Sequence, residues 1–153
     1  MKLSEHFYLS EFVKSELASR FNIKNEPGSL AISKLQALVT HVLEPIRDHF
    51  NLPVVISSGY RCLELNRRIG GSAKSQHTLG EAADIEIPGI SNIDLFQVIK
   101  SNLNFDQLIL EFYEEGKPGS GWIHVSYRSV KENRNQLLRA SKEHGKVVYK
   151  EVV

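Results

Sequence analysis

Apolar residues recur at Leu35, Leu38, Val39, Val42, Leu43, Ile46 and Phe50, a spacing that lines one face of a helix beginning near Ser29. Pro45 interrupts the pattern, but the periodicity continues past it, so a kink is expected there rather than an end. Asn92 to Leu103, with Ile93, Phe96, Val98 and Ile99 apolar, predicts a second helix, and Leu63 to Ile69 a shorter one. Ser10-Glu11-Phe12-Val13 offers an N-cap and an acidic first turn, with Phe12, Leu17 and Phe21 along one side of a short helix. Val130 to His144 reads as a polar helix.

Period-two segments supply the strands. Val54-Val55-Ile56 is β-branched throughout and reads as a short buried strand that runs into a turn at Ser57-Ser58-Gly59. From Ala82 to Ile87, Ala83, Ile85 and Ile87 alternate with Asp84 and Glu86, which puts Asp84 opposite the apolar face. Gln107 to Phe112 and Trp122 to Tyr127, separated by a Gly-rich charged stretch, predict a long-looped hairpin. In its second strand Trp122, His124 and Ser126 share one face, and Ile123, Val125 and Tyr127 the other. Lys146 to Val153 completes the set as an edge strand. Loops fall at Asn25-Glu26-Pro27-Gly28 and Gly70-Gly71-Ser72. Helices packed on a small, mainly antiparallel sheet make the expected class α+β, in one domain over residues 1–153, with no internal repeat or low-complexity tract.

Composition narrows the function classes. With 19 Lys+Arg against 18 Asp+Glu the formal charge is +1, so electrostatics give no case for nucleic acid as the main partner. No run of about 18 apolar residues predicts a membrane span. Met1 to Phe7 lacks the apolar core of a secretory signal, so the expectation is cytoplasmic synthesis, with delivery by other means if the substrate lies outside. A single cysteine, Cys62, excludes both an internal disulfide framework and a thiolate metal cluster; it reads as a small buried residue. A monomer is expected.

The chemistry concentrates at His77, Asp84 and His124. Two imidazoles and one carboxylate can bind zinc and leave a coordination position open, the composition of a catalytic rather than a structural site. A carboxylate between Ala83 and Ile85 is costly if unpaired, and a metal or an Arg would offset that cost. Spacing alone leaves the geometry open, since Asp84 on a helix would also lie near His77; the alternation favours the strand. His41 and His49 read as helix residues, and His6 and His144 as solvent-exposed.

Ser57-Ser58-Gly59-Tyr60-Arg61, Asn66, Gly70-Gly71, Ser75-x-His77-x-x-Gly80-x-Ala82-x-Asp84 and Trp122-x-His124 together resemble the M15 peptidases. These are zinc D-Ala-D-Ala carboxypeptidases and peptidoglycan endopeptidases, phage endolysins among them, with a metal-site fold shared with the hedgehog domain. The resemblance implies one zinc held by His77, Asp84 and His124, and a peptidoglycan peptide as substrate. It also implies that Arg61 contacts the substrate or the developing oxyanion, a task its planar fork suits. Ser75 and Gln76 are candidates for binding the peptide backbone, and Tyr60, Trp122 and Tyr127 for walling the cleft.

The general base is where the chain departs from the better-known members, several of which carry a Glu shortly before the last His. Gly119 to Ile123 contain no carboxylate. Glu111, Glu114 and Glu115 are the candidates; a hairpin turning near Gly116-Lys117 favours Glu111. A zinc-stabilised, non-catalytic cell-wall-binding or scaffold domain is the alternative.

Overall fold

The computed structural model describes residues 1–152, so Val153 of the expected edge strand lies outside the described residues. Six helical segments, α1 Leu9–Val13, α2 Glu16–Arg20, α3 Ser29–Leu38, α4 Glu44–Phe50, α5 Leu63–Arg68 and α6 Asn92–Asn102, accompany six strands. The strands are β1 Val55–Ser58, β2 Ala82–Glu86, β3 Gln107–Glu111, β4 Trp122–Ser126, β5 Gln136–Glu143 and β6 Lys146–Glu151. They form one sheet in the order β1-β2-β4-β3-β5-β6. The β3–β5 pair is parallel and every other pair antiparallel, so the α+β class holds but the sheet is mixed.

One face of the sheet carries the core. Ile56, Ala83, Ile85, Leu108, Leu110, Ile123 and Val125 are buried there against Leu35, Leu38, Val42, Leu43 and Ile46 of the long helix and Leu95, Phe96 and Ile99 of α6. At about 25 cal/mol per Å² of apolar surface, this burial is the main favourable term in folding. Covering only one face leaves the other free to carry polar chemistry.

The helix from Ser29 continues through Pro45 to Phe50, and the irregularity lies just upstream of the proline. Val39–Leu43 is a π-helical turn, in which the Glu44 N–H reaches back to the Val39 carbonyl. Pro45 has no N–H to give, and the widened turn accommodates that loss without ending the helix. Glu44, at the same place, accepts from Ser4 Oγ at 2.5 Å, His6 N at 2.7 Å and His6 Nδ1 at 2.8 Å. His6 is therefore half-buried and pinned to the helix rather than solvent-exposed.

Two further expectations are corrected. The first helical stretch breaks at Lys14, where Ser15 caps α2 by accepting from Ala18 N at 3.1 Å. Phe12 alone of its apolar trio is buried; Leu17 and Phe21 are exposed. The polar helix expected over Val130 to His144 does not form: Gln136–Glu143 is strand β5. Its pairing with β3 is parallel and with β6 antiparallel, and this nonlocal pairing outweighs the local preference of its polar residues.

Candidate metal centre and cleft

Asp84 and His124 are brought together by strand register. They are direct partners across β2 and β4, on the face away from the core, and His124 Nδ1 lies 3.1 Å from Asp84 Oδ1. His77 arrives from a 3-10 turn over Gln76–Leu79, which Ser75 caps by accepting from His77 N at 3.3 Å. The His77 side chain is 3% exposed, and its Nδ1 lies 2.7 Å from the Gly59 carbonyl oxygen. A carbonyl only accepts, so Nδ1 carries a proton, and Nε2 is the ring atom left facing Asp84 Oδ1, at 3.4 Å. Gly59 makes this seat possible: a Cβ there would stand 2.6 Å from the Phe12 carbonyl oxygen.

An imidazole nitrogen and a carboxylate oxygen this close need a positive charge between them, either a proton on the ring or a metal ion. The three ligand atoms lie within 4.8 Å of one another. Donors around a tetrahedral ion at about 2.0–2.1 Å stand roughly 3.3 Å apart, close to the 3.1 and 3.4 Å separations from Asp84 Oδ1. The Gly59 bond also orients the His77 ring as a partner behind a metal ligand does. The donor set fits a divalent transition ion. Burial alone would raise the Asp84 pKa, but the hydrogen bonds and charges of His124 and His77 outweigh it and hold the carboxylate well below its ordinary value.

His77, Asp84 and His124 open onto a cleft of about 660 Å³, also lined by Arg61, Glu111 and Trp122. That is the size of a small-ligand or peptide subsite. Glu111 ends β3 opposite Trp122 and is 9% exposed. Burial, and then the Asp84 charge, raise its pKa, while His124, Trp122 and Arg61 pull the other way. Gly121 allows the hairpin to close at this point: it has φ +67°, and a Cβ would collide with the Glu111 carbonyl. Glu114 and Glu115 are on the solvated loop, 62% and 78% exposed and paired with Lys117 and Arg139. Neither lines the cleft.

Arg61 is held by its backbone N–H to the His77 carbonyl at 3.1 Å, and its Nη2 lies 3.4 Å from Ser75 Oγ. Desolvation lowers its pKa, against the raising effect of Asp84 and Glu111, and its buried Nε has no partner. Ser75 lines the cleft as expected. Gln76 does too, but its amide nitrogen is already committed, at 3.2 Å to Glu81 and 2.9 Å to Asp106. It steadies the turn carrying His77, so its amide N–H groups are not free for a peptide.

Two aromatics expected at the cleft lie elsewhere. Tyr60 lines a separate groove between α2 and β1, with its ring packed partly against the core. Tyr127 is in the core, its ring stacked at 4.8 Å on His41. Cys62 is half-buried, and its Sγ caps α5 at 3.5 Å from Leu65 N. Leu138 and Tyr149 line the cleft without having been anticipated, because β5 reads locally as helix. The signal available was His144-Gly145, both at positive φ, forming a two-residue loop between β5 and β6.

A one-sided sheet bearing a His₂Asp donor set, a buried glutamate and a guanidinium around one cleft is equipped as a hydrolytic site. The chain belongs to the peptidase M15 family, whose model matches residues 5–126, well over half of its length. It is thus a peptidase by family. No curated protein matches the chain.

Proposed function

We propose that the protein is a zinc-dependent peptidase that hydrolyses a peptide bond in peptidoglycan stem peptides or cross-links. The observation that carries the reading is the convergence of His77 Nε2 and His124 Nδ1 on Asp84 Oδ1 in a cleft that also holds Glu111. The substrate class rests on the resemblance of the motifs around His77, Asp84 and His124 to the peptidoglycan-cleaving M15 enzymes. Zinc bound at these three donors supplies a Lewis acid and brings the pKa of a water ligand down toward about 7.

The remaining work falls to the chain's own side chains. Glu111 accepts a proton from the attacking water and returns it to the leaving amine, and its raised pKa brings it closer to the operating range of a general base. Arg61 donates to the carbonyl oxygen or to a substrate carboxylate from a half-buried position, where a charge-assisted bond is stronger than in water. Ser75 holds the guanidinium on its cleft side.

The test is digestion of purified cell wall by zinc-loaded and chelated protein, with new amino termini identified. Glu111→Gln should retain zinc and fold while losing roughly 10²- to 10⁴-fold in rate. Full turnover in that variant would remove Glu111 from the mechanism. A wild type that binds cell wall but releases no amino termini favours the scaffold reading instead.

A further inference from the structure

The matched family region ends at residue 126, yet the cleft does not. Strands β5 and β6 extend the sheet beyond β3, and their site-facing residues follow from the register. Ile109 stands beside Leu138, Glu111 beside Ala140, and Ala140 beside Tyr149. Ala140 is fully buried and carries only a methyl group, so between Glu111 and Tyr149 there is no bulk to separate them. Tyr149 and Leu138 line the same cleft as the metal ligands.

We infer that the β5–β6 hairpin is a substrate-binding wall, and that Tyr149 contacts the peptide substrate next to Glu111. This rests on the peptidase reading above and adds a residue to it. Tyr149 is 54% exposed, on the outermost strand, and its hydroxyl makes no hydrogen bond within the described residues. Another donor lining the cleft is without a partner: Arg61 Nε is buried and unbonded, while Trp122 Nε1 is directed only at Glu111. Buried donors without acceptors are costly in an empty site and are satisfied by a ligand rich in acceptors. The carbonyls of an extended peptide are such a ligand, and the Tyr149 ring with Leu138 offers an apolar shelf for the adjoining side chain. Partial burial, then the Glu111 and Asp84 charges, raise the Tyr149 pKa, so its hydroxyl stays a donor at neutral pH.

Tyr149→Phe removes the hydroxyl and Tyr149→Ala the whole ring, at a site exposed enough for the fold to tolerate both. Each is to be compared with wild type for cleavage of soluble muropeptides and for their binding, read by the fluorescence of Trp122, the only tryptophan in the chain and a lining residue of the cleft. Zinc content and Tm should stay within error of wild type. Tyr149→Phe should lose about five- to tenfold in kcat/KM, the scale of one hydrogen bond. Tyr149→Ala should also raise KM and the half-saturation of the fluorescence change by about tenfold or more. Unchanged kcat/KM and unchanged binding in both variants would make Tyr149 a solvated edge residue and overturn the inference. A wild type that binds but does not cleave sinks the peptidase reading alone, and the binding series then decides Tyr149. A wild type that does neither overturns both.

Discussion

Asp106 is the residue whose removal should reveal how the cleft is held. Its side chain is fully buried and its oxygens accept four bonds. Arg134 gives its backbone N–H at 3.0 Å, Nε at 3.0 Å and Nη2 at 2.8 Å, and Gln76 gives Nε2 at 2.9 Å. Asp106→Asn keeps the size, removes the charge and turns an amide NH₂ toward donors. Two charged bonds are worth about 1.5–3 kcal/mol each. The Arg134 side chain is 51% exposed and can rehydrate, which recovers part of that, leaving a net loss of about 2–4 kcal/mol. For a chain of this length, about 2–4 °C per kcal/mol converts the loss to a drop in Tm of roughly 10 °C. Thermal melts in chelator would read it without a contribution from bound metal.

The pH dependence has a definite sign. Burial opposes ionisation of Asp106, but the Arg134 and Gln76 bonds prevail and its folded pKa is lowered from 3.8. A depressed carboxylate contributes its stability above the unfolded value and loses it as pH falls through the folded one. The gap between wild type and Asp106→Asn should therefore be constant from neutral pH down to about 5 and narrow below about pH 4. Because Gln76 precedes His77, zinc affinity should also weaken, by roughly tenfold, the low end for loss of a residue supporting a metal ligand. A variant within 2 °C of wild type at neutral pH, by the scale just worked, with unchanged zinc affinity, would refute the reasoning.

Two other outcomes follow from the site. His77→Ala or Asp84→Ala should abolish stoichiometric zinc; unchanged zinc by elemental analysis in a folded His77→Ala protein would remove that residue from the ligand set. Arg61→Lys should cut kcat/KM while leaving Tm and zinc content near wild type, because lysine cannot reproduce a two-pronged contact; wild-type turnover would exclude the role given to Arg61.

What was legible in the sequence was what depends on local pattern. The alternation Ala83-Asp84-Ile85 put Asp84 on the polar face of its strand, and the Trp122-Ile123-His124 alternation put His124 on the same side, where β2–β4 pairing makes them neighbours. Glu111 followed from hairpin geometry, since its partner across the ladder is Trp122. Tyr60 and Tyr127 misled because an aromatic near a site motif does not reveal which side its ring takes. Tyr60 turns to the groove between α2 and β1, and strand parity sends Tyr127 to the core, since it lies out of phase with His124. The β5 error has a different cause. Gln136 to Ala140 pairs in parallel with a strand 29 positions earlier, and nothing within an eight-residue window records such a partner.

The parallel β3–β5 pair also explains why this region bears on function. Had the chain after Ser126 folded as a surface helix, the sheet would end at β3 and leave Glu111 at an open edge, exposed to water on its outer side. With β5 beside it, Glu111 is 9% exposed and adjoins the methyl of Ala140, and desolvation becomes the largest influence on its pKa. A glutamate at a wet edge would titrate near 4.3 and be a weak base at neutral pH. In the mechanism proposed above, the strand that extends the sheet supplies the desolvated environment of Glu111, and the same strand brings β6, with Tyr149, to the wall of the same cleft.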